Sequence, residues 1–312
     1  MTGLAINIVG CGYIGKKIAT RLATRFTGGQ AGQSRNGLNN IQCFVSSEKS
    51  KLISERLKLN TLLFDLDKPD LMLDKTTTSS FSRSVVMYLA PPPPVGVTDT
   101  RMGNFIRMLE TLESPPVKLV LISTTGVYGD CNGDWIDESR PVNPQADRAQ
   151  RRVNAENLLA AYCKQNNVQY IVFRVPGIYA ADKLPLKRIS SGEPILRAED
   201  SGYTNRIHAL DLAAFCVEAL SCEIQSGIYN CCDGNPSTMN DYFKRVADAK
   251  KLPRPEEIDF VQAQQTLSQG MLSYLAESKR ISNDKLLKNF NTSFVYPDLS
   301  AGLADSEVTD AS

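Results

Sequence analysis

Apolar β-type runs recur along the chain at Leu4 to Val9, Ile41 to Val45, Thr61 to Phe64, Val85 to Leu89, Lys118 to Ser123 and Tyr170 to Val175, with helix-type stretches between them. That alternation is the signature of βαβ units. The runs are continuous rather than alternating, so each strand is buried on both faces, which predicts an α/β fold with a doubly wound parallel sheet. The first helix is expected from Gly15 to Phe26, followed by a polar loop from Thr27 to Asn40 whose Gly, Ser and Asn content supplies no core and predicts mobility. Beyond Tyr179 the pattern changes: Pro185, Gly192 and Pro194 interrupt a basic segment before an apolar helix, Ala209 to Leu220, and a strand, Gly227 to Cys231. Further helices are expected from Asp241 to Lys251 and around Met271 to Ser278.

The chain has 312 residues, enough for one large domain or two closely joined ones. The pattern divides it into a sheet domain, 1–180 with 209–235 returning to it, and a smaller C-terminal α/β cap, 181–208 and 236–299. The small, polar, acidic residues 300–312 read as a disordered tail. Lys and Arg number 35 against 34 Asp and Glu, so no net field recruits nucleic acid. No uncharged apolar run approaches the roughly 18 residues of a membrane span, and the start lacks a secretion signal. The expectation is a cytoplasmic protein with neither nucleic-acid nor membrane partners. Eight cysteines are scattered without a CxxC pair. Cys231 and Cys232 would face opposite ways on a strand, so core packing is favoured over metal or redox roles. His208 is the sole histidine, which rules out a multi-histidine zinc centre, and no metal site is expected.

The chemistry begins at the first turn. Leu4 to Val9 runs into Gly10-Cys11-Gly12-Tyr13-Ile14-Gly15 and then helix-forming Lys16-Lys17-Ile18-Ala19. In a strand, GxGxxG, helix sequence the first glycine permits the tight turn and the second lets backbone N–H groups approach a pyrophosphate. The third lets helix and strand pack closely. The sheet is therefore Rossmann-type, with a dinucleotide expected at Gly10, Gly12, Tyr13, Ile14 and Gly15. The second strand ends Val45-Ser46-Ser47, where an NAD-selective site places Asp or Glu on the ribose. Ser46 and Ser47 with Lys49 and Lys51 beyond mildly favour NADP, although both lysines can equally be a solvated helix face. The cofactor stays open between NAD and NADP.

By these residues the chain resembles the extended, epimerase/dehydratase-like form of the short-chain dehydrogenase/reductase superfamily over nearly its whole length. Asp65-Leu66-Asp67 is similar to the family's adenine-contacting segment, which implies cofactor roles for Asp65 and Leu66. Leu89-Ala90-Pro91 falls where the family passes the nicotinamide ribose. Ser123-Thr124-Thr125-Gly126-Val127-Tyr128-Gly129 resembles the STxxVYG segment, with Thr124 on the catalytic Ser/Thr position. Arg174-Val175-Pro176-Gly177-Ile178-Tyr179 is similar to the segment that meets the nicotinamide amide, implicating Pro176 and Ile178. Arg206-Ile207-His208 with Asp211-Leu212-Ala213 resembles R-x-H-x-x-D-x-A. Tyr13, Tyr88-Leu89-Ala90-Pro91-Pro92-Pro93 and Asn205-Arg206-Ile207-His208 look like the atypical, YeeZ-type branch. The resemblance also implies a helix-pair homodimer.

One departure stands out. The family's Tyr-x-x-x-Lys pair precedes a Glu by four residues; counting back from Glu156 puts Arg152 at the lysine position and Arg148 at the tyrosine position. An arginine cannot exchange the substrate proton near neutrality, but it binds carboxylate or phosphate bidentately or stabilises an oxyanion. Without the resemblance, an Arg152–Glu156 i,i+4 ion pair with Arg148 in solvent is the simpler reading. With it, Thr124, Arg148 and Arg152 are the candidate catalytic residues. Thr124 would hold the reacting oxygen, Arg152 the cofactor ribose and Arg148 the substrate charge. Tyr128, Tyr179, Tyr203 and Glu138 are substitute acids, each with an ordinary packing or surface role as its simpler explanation. Arg188, Arg206 and His208 are the candidate substrate-binding residues, and Lys183, Lys187 and Arg197 add to the cap's basic bias. His208 can instead fix its loop, and Trp135 can line the pocket or staple its loop to the sheet. Two functions follow: an NAD(P)-dependent oxidoreductase or epimerase/dehydratase-like enzyme for a small anionic substrate, or a non-catalytic NAD(P)-binding sensor or regulatory protein.

Overall fold

In the computed structural model, which describes residues 4–27, 40–68 and 74–309, seven strands share one parallel sheet. They are β1 (Ile6–Val9), β2 (Ile41–Val45), β3 (Thr61–Leu63), β4 (Val85–Tyr88), β5 (Lys118–Thr124), β6 (Gln169–Val175) and β7 (Gly227–Asn230). Their spatial order is β7-β6-β5-β4-β1-β2-β3, and every neighbouring pair is parallel. The chain winds outward from β1 to β3, then crosses back to lay β4 on the other side of β1. Such a reversal opens a crevice at the carboxyl ends of β1 and β4, where open α/β sheets bind ligands. Most of the loop expected between Thr27 and Asn40 lies outside the described residues.

The strands are apolar throughout because both faces are covered. Ile8 packs with Ile18 and Leu22 of α1 (Tyr13–Thr27) and with Leu212 and Phe215 of α5 (Ala209–Ala219). Val9, its neighbour, faces the opposite layer with Met102 and Phe105 of α3 (Thr100–Glu110) and Leu159 of α4 (Asp147–Asn166). On the outer flank, α2 (Glu48–Arg56) is capped by Ser47, whose hydroxyl accepts from Ser50 N at 3.3 Å. Cys231 and Cys232 divide in the same way between two apolar clusters. No helix among the described residues is long and apolar enough to cross a membrane.

The cap has its own core, in which Ile189, Ile195, Phe243 and Val246 meet Tyr179. Two segments differ from expectation. Residues 286–294, assigned to the cap by sequence, return to the sheet: Leu286 and Phe290 are buried against Phe173, Phe215 and Tyr229. Residues 300–309 of the expected disordered tail belong to a helix, Leu299–Thr309, and 310–312 lie outside the described residues. Composition concealed Leu299 and Leu303, one helical turn apart and both buried in the cap core. Asp298 caps this helix by accepting from Ala301 N at 2.9 Å. Gly302 admits the Tyr179 ring, since a Cβ there would stand 2.5 Å from its hydroxyl oxygen.

Candidate functional site

Because the strands run parallel, the loops that follow β1 to β6 all emerge along one edge. The structure therefore brings the glycine turn, Ser46 and Ser47, Asp65 and Leu66, Leu89 to Pro91, Thr124, and Pro176 with Ile178 to that edge. The three glycines have three different surroundings. Gly10 has φ +79°, and a Cβ there would lie 2.4 Å from Ala90 N, so β1 and the β4 loop close on each other only through glycine. A Cβ at Gly15 would touch Cys11 and Ile8 at 3.3–3.4 Å, which is helix-on-strand packing. At Gly12 it would meet only Gly10 O, at 3.8 Å, so the space over the turn is open. The first turn of α1 carries no acidic side chain to compete for its N–H groups. This open, acid-free cradle fits a dinucleotide pyrophosphate.

Several side chains expected around the cofactor have other work. The Tyr13 hydroxyl donates to Asp182 Oδ1 at 2.5 Å, and Lys17 and Lys183 each lie 4.7 Å from its ring, so Tyr13 is left with its backbone for a ligand. Asp65 accepts from Asp67 N at 3.1 Å, and the Leu66 carbonyl accepts from Asn104 Nδ2 at 2.7 Å. Arg101, which sequence reasoning missed, grips Asp67 bidentately at 2.6 and 2.7 Å and donates to the Pro91 and Pro92 carbonyls. Its hydrogen bonds hold the Asp67 carboxyl below the usual carboxylate range. Arg101 thus ties the β3 loop to the β4 loop. At the end of β2, Glu48 opens α2 directly after Ser47, a carboxylate that counters Lys49 in any choice between NAD and NADP.

Next to this edge lies a cavity of about 330 Å³ whose lining includes Thr124, Arg148, Arg152 and Pro176. Thr124 ends β5, and its Oγ1 accepts from Gly126 N at 3.2 Å, which leaves its own proton free to point into the cavity. Arg152 donates to the Ala90 carbonyl at 3.2 Å. Burial pulls its guanidinium below the ordinary arginine value, with Asp99 and Tyr88 opposing. Arg148 stands exposed at the mouth and donates to Ser273 Oγ on the cap helix Gln269–Leu275 at 3.0 Å. The alternative Arg152–Glu156 pair does not form. Glu156 is buried and accepts instead from Arg174 Nη2 at 2.7 Å and from Ser123 at 2.5 Å, fastening α4 to the ends of β5 and β6.

The three expected substrate residues lie elsewhere. His208 is buried, accepts from Leu210 N at 3.4 Å as the cap of α5, and packs 3.7 Å from the Tyr296 ring. Arg206 is buried over Tyr242 at 4.1 Å and bonds Ser237 and Thr204, one side chain behind the cavity wall. Arg188 stacks on Phe243 at 4.7 Å and pairs with Glu193. Of the substitute acids, Tyr128 donates to Asn230 Oδ1, Tyr179 donates to the Asp298 carbonyl, and Glu138 accepts from Asn230 N. Tyr203 alone of the four lines the cavity. Tyr274, Glu277 and Lys279 also line it, and none carried a sequence signal: each comes from the cap, far along the chain from α4. Trp135 staples its loop, since the strand Trp135–Ile136 pairs with Arg280–Ile281 and Arg280 lies 5.7 Å over the indole. Among the described residues no cluster of His, Cys, Asp or Glu could hold a metal ion.

Parallel strands in this order, with an open glycine turn at the point of reversal, define a dinucleotide-binding fold of the Rossmann class. The chain belongs to the NAD-dependent epimerase/dehydratase family, whose model matches residues 8–232. A functionally unknown conserved protein from Silicibacter pomeroyi shares the fold with TM-score 0.76 and 23% identity, over 98% of this chain and 99% of that one. A putative NAD-dependent epimerase/dehydratase from Methylobacillus flagellatus gives 0.75 and 23%, over 99% of each. The UDP-glucose 4-epimerase of Thermus thermophilus, solved with NAD, gives 0.72 and 18%, over 97% and 98%. Among curated proteins none matches.

Proposed function

We propose that this protein is an NAD(P)-dependent oxidoreductase or epimerase/dehydratase-like enzyme acting on a small anionic alcohol or ketone. The observation that carries the reading is the convergence of Thr124, Arg148 and Arg152 on one cavity beside the glycine turn. Gly10, Gly12 and Gly15 and the first turn of α1 would hold the dinucleotide, which supplies the redox chemistry when bound. Thr124 donates to the reacting oxygen, and Arg148 at the mouth pairs with a carboxylate or phosphate. A volume of 330 Å³ sits at the small end of ligand pockets, which favours a small acid over the whole of a UDP-sugar such as the Thermus epimerase acts on. Ser46 and Ser47 admit either NAD or NADP, with Lys49 and Glu48 opposed in sign.

The test is a titration with both coenzymes, followed by a screen of small hydroxy and keto acids and their phosphates at the reduced-nicotinamide absorbance band. Turnover that falls about a hundredfold in Thr124→Val supports the assignment. Turnover untouched by that change removes Thr124 from the site. Saturable coenzyme binding with no turnover in any member of the screen supports the sensor reading, which the Arg148 replacement favours.

A further inference from the structure

With arginine at position 148, the cavity needs another group to exchange a proton with the substrate oxygen. Among the described residues the phenols that reach the cavity are Tyr203 and Tyr274. The Tyr203 hydroxyl likewise makes no hydrogen bond among the described residues, but its ring covers the Arg280 guanidinium at 4.8 Å and it sits on a wall shared with a neighbouring cavity, away from Arg148. Tyr274 stands on the cap helix Gln269–Leu275, directly after Ser273, to which Arg148 donates at 3.0 Å. Its hydroxyl makes no hydrogen bond among the described residues, so its proton is uncommitted. Arg148 on α4 is therefore bonded to the residue that immediately precedes Tyr274.

We propose that Tyr274 is the proton-exchanging phenol of this site, carried on the cap rather than on α4, with Arg148 as the cation beside it. The inference rests on the enzymatic reading above. In the reductive direction the substrate's carbonyl carbon gains a hydrogen with two electrons from a reduced nicotinamide dinucleotide. The Tyr274 O–H bond breaks as an O–H bond forms on the carbonyl oxygen, and water returns the proton to the phenolate. The charges around that phenolate are Arg148 from α4, Arg206 behind the wall and Glu277 on the cap. Burial raises the phenol's proton affinity, while Arg206 and Arg148 lower it and Glu277 raises it. Lys279, which also lines the cavity, pairs with Glu277. The net effect holds the phenol protonated above its ordinary range, ready to donate, while Arg206 and Arg148 offset part of the cost of the phenolate that the step leaves behind.

The experiment has two arms on the full chain. In the first, protein labelled at tyrosine Cζ with carbon-13 is titrated by NMR, with the Tyr274 resonance identified by its loss in Tyr274→Phe. Removing the Arg148 charge in Arg148→Gln should move the Tyr274 midpoint upward. A midpoint indifferent to Arg148 overturns the pairing. In the second, Tyr274→Phe should lower kcat by about 10²-fold or more, with coenzyme affinity by calorimetry kept within about threefold. Retained kcat, or a loss that follows Tyr203→Phe instead, overturns the assignment of Tyr274 and leaves the enzymatic reading standing. Failure of the wild-type chain to bind either coenzyme overturns both.

Discussion

The carboxyl edge around β1 and β4 and the wall that α4 and the cap raise against it are built on different rules. At the edge the work is done by backbone: Gly10 because β1 and Ala90 meet there, Gly15 because α1 lies on Ile8, Gly12 because the space above it is open. At the wall it is done by side chains from distant parts of the chain, Arg148 and Arg152 from α4 and Tyr203, Tyr274 and Lys279 from the cap. The edge is therefore intolerant of substitution, while the wall can exchange one functional group for another.

The largest expected effect lies under the wall. Glu156→Ala leaves Arg174 buried without its partner and should cost about 3–5 kcal/mol, read from denaturant unfolding. A cost below about 1 kcal/mol would show that α4 is not fastened there. At the edge, Gly10→Ala forces a Cβ against Ala90 at positive φ and should cost about 3 kcal/mol. Gly12→Ala, two residues on, should leave stability within about 0.5 kcal/mol and weaken coenzyme binding about a hundredfold, because the added methyl occupies only the open space. Equal effects of the two changes on stability would break the distinction between them.

Charge sharpens the comparison on the cap side. Burial pushes the Asp233 carboxyl up to about 7, against the pull of Asn235 N–H and Arg206. The folded protein thus keeps a proton that the unfolded chain releases near the ordinary value of about 3.9, so stability falls as pH rises from there to about 7. Asp233→Asn should flatten that slope and leave the protein more stable at pH 8 by on the order of 2 kcal/mol. An unchanged slope would place the proton elsewhere. The smallest effect is expected at the exposed mouth, where Arg148→Gln should weaken binding of a small carboxylate or phosphate probe about tenfold, more at low salt than at high.

How much was legible in the sequence follows the same division. Continuous apolar strands and a glycine turn between strand and helix announce the sheet, the crevice and the roles of Gly10, Gly12 and Gly15, because those depend on local backbone. Thr124 drew notice through the Ser123–Gly129 segment and the two arginines through their spacing to Glu156, and all three line one cavity. His208 and Arg206 misled, because a cap residue and a stacked arginine look like site residues until their partners at Leu210 and Tyr242 are seen. Tyr274 was silent for the opposite reason: only the folding of the cap over α4 brings it to Arg148, 126 positions away in the numbering. The Leu299–Thr309 helix was hidden by a composition in which two leucines decide the packing.

The central claim is that the open turn at Gly12 receives a pyrophosphate. Calorimetric titration of the wild-type chain with oxidised and reduced coenzyme tests it most directly. The account predicts saturable heat at one coenzyme per chain, with affinity about a hundredfold weaker in Gly12→Ala at unchanged thermal stability. Absence of saturable heat with every one of NAD, NADP and their reduced forms would contradict it.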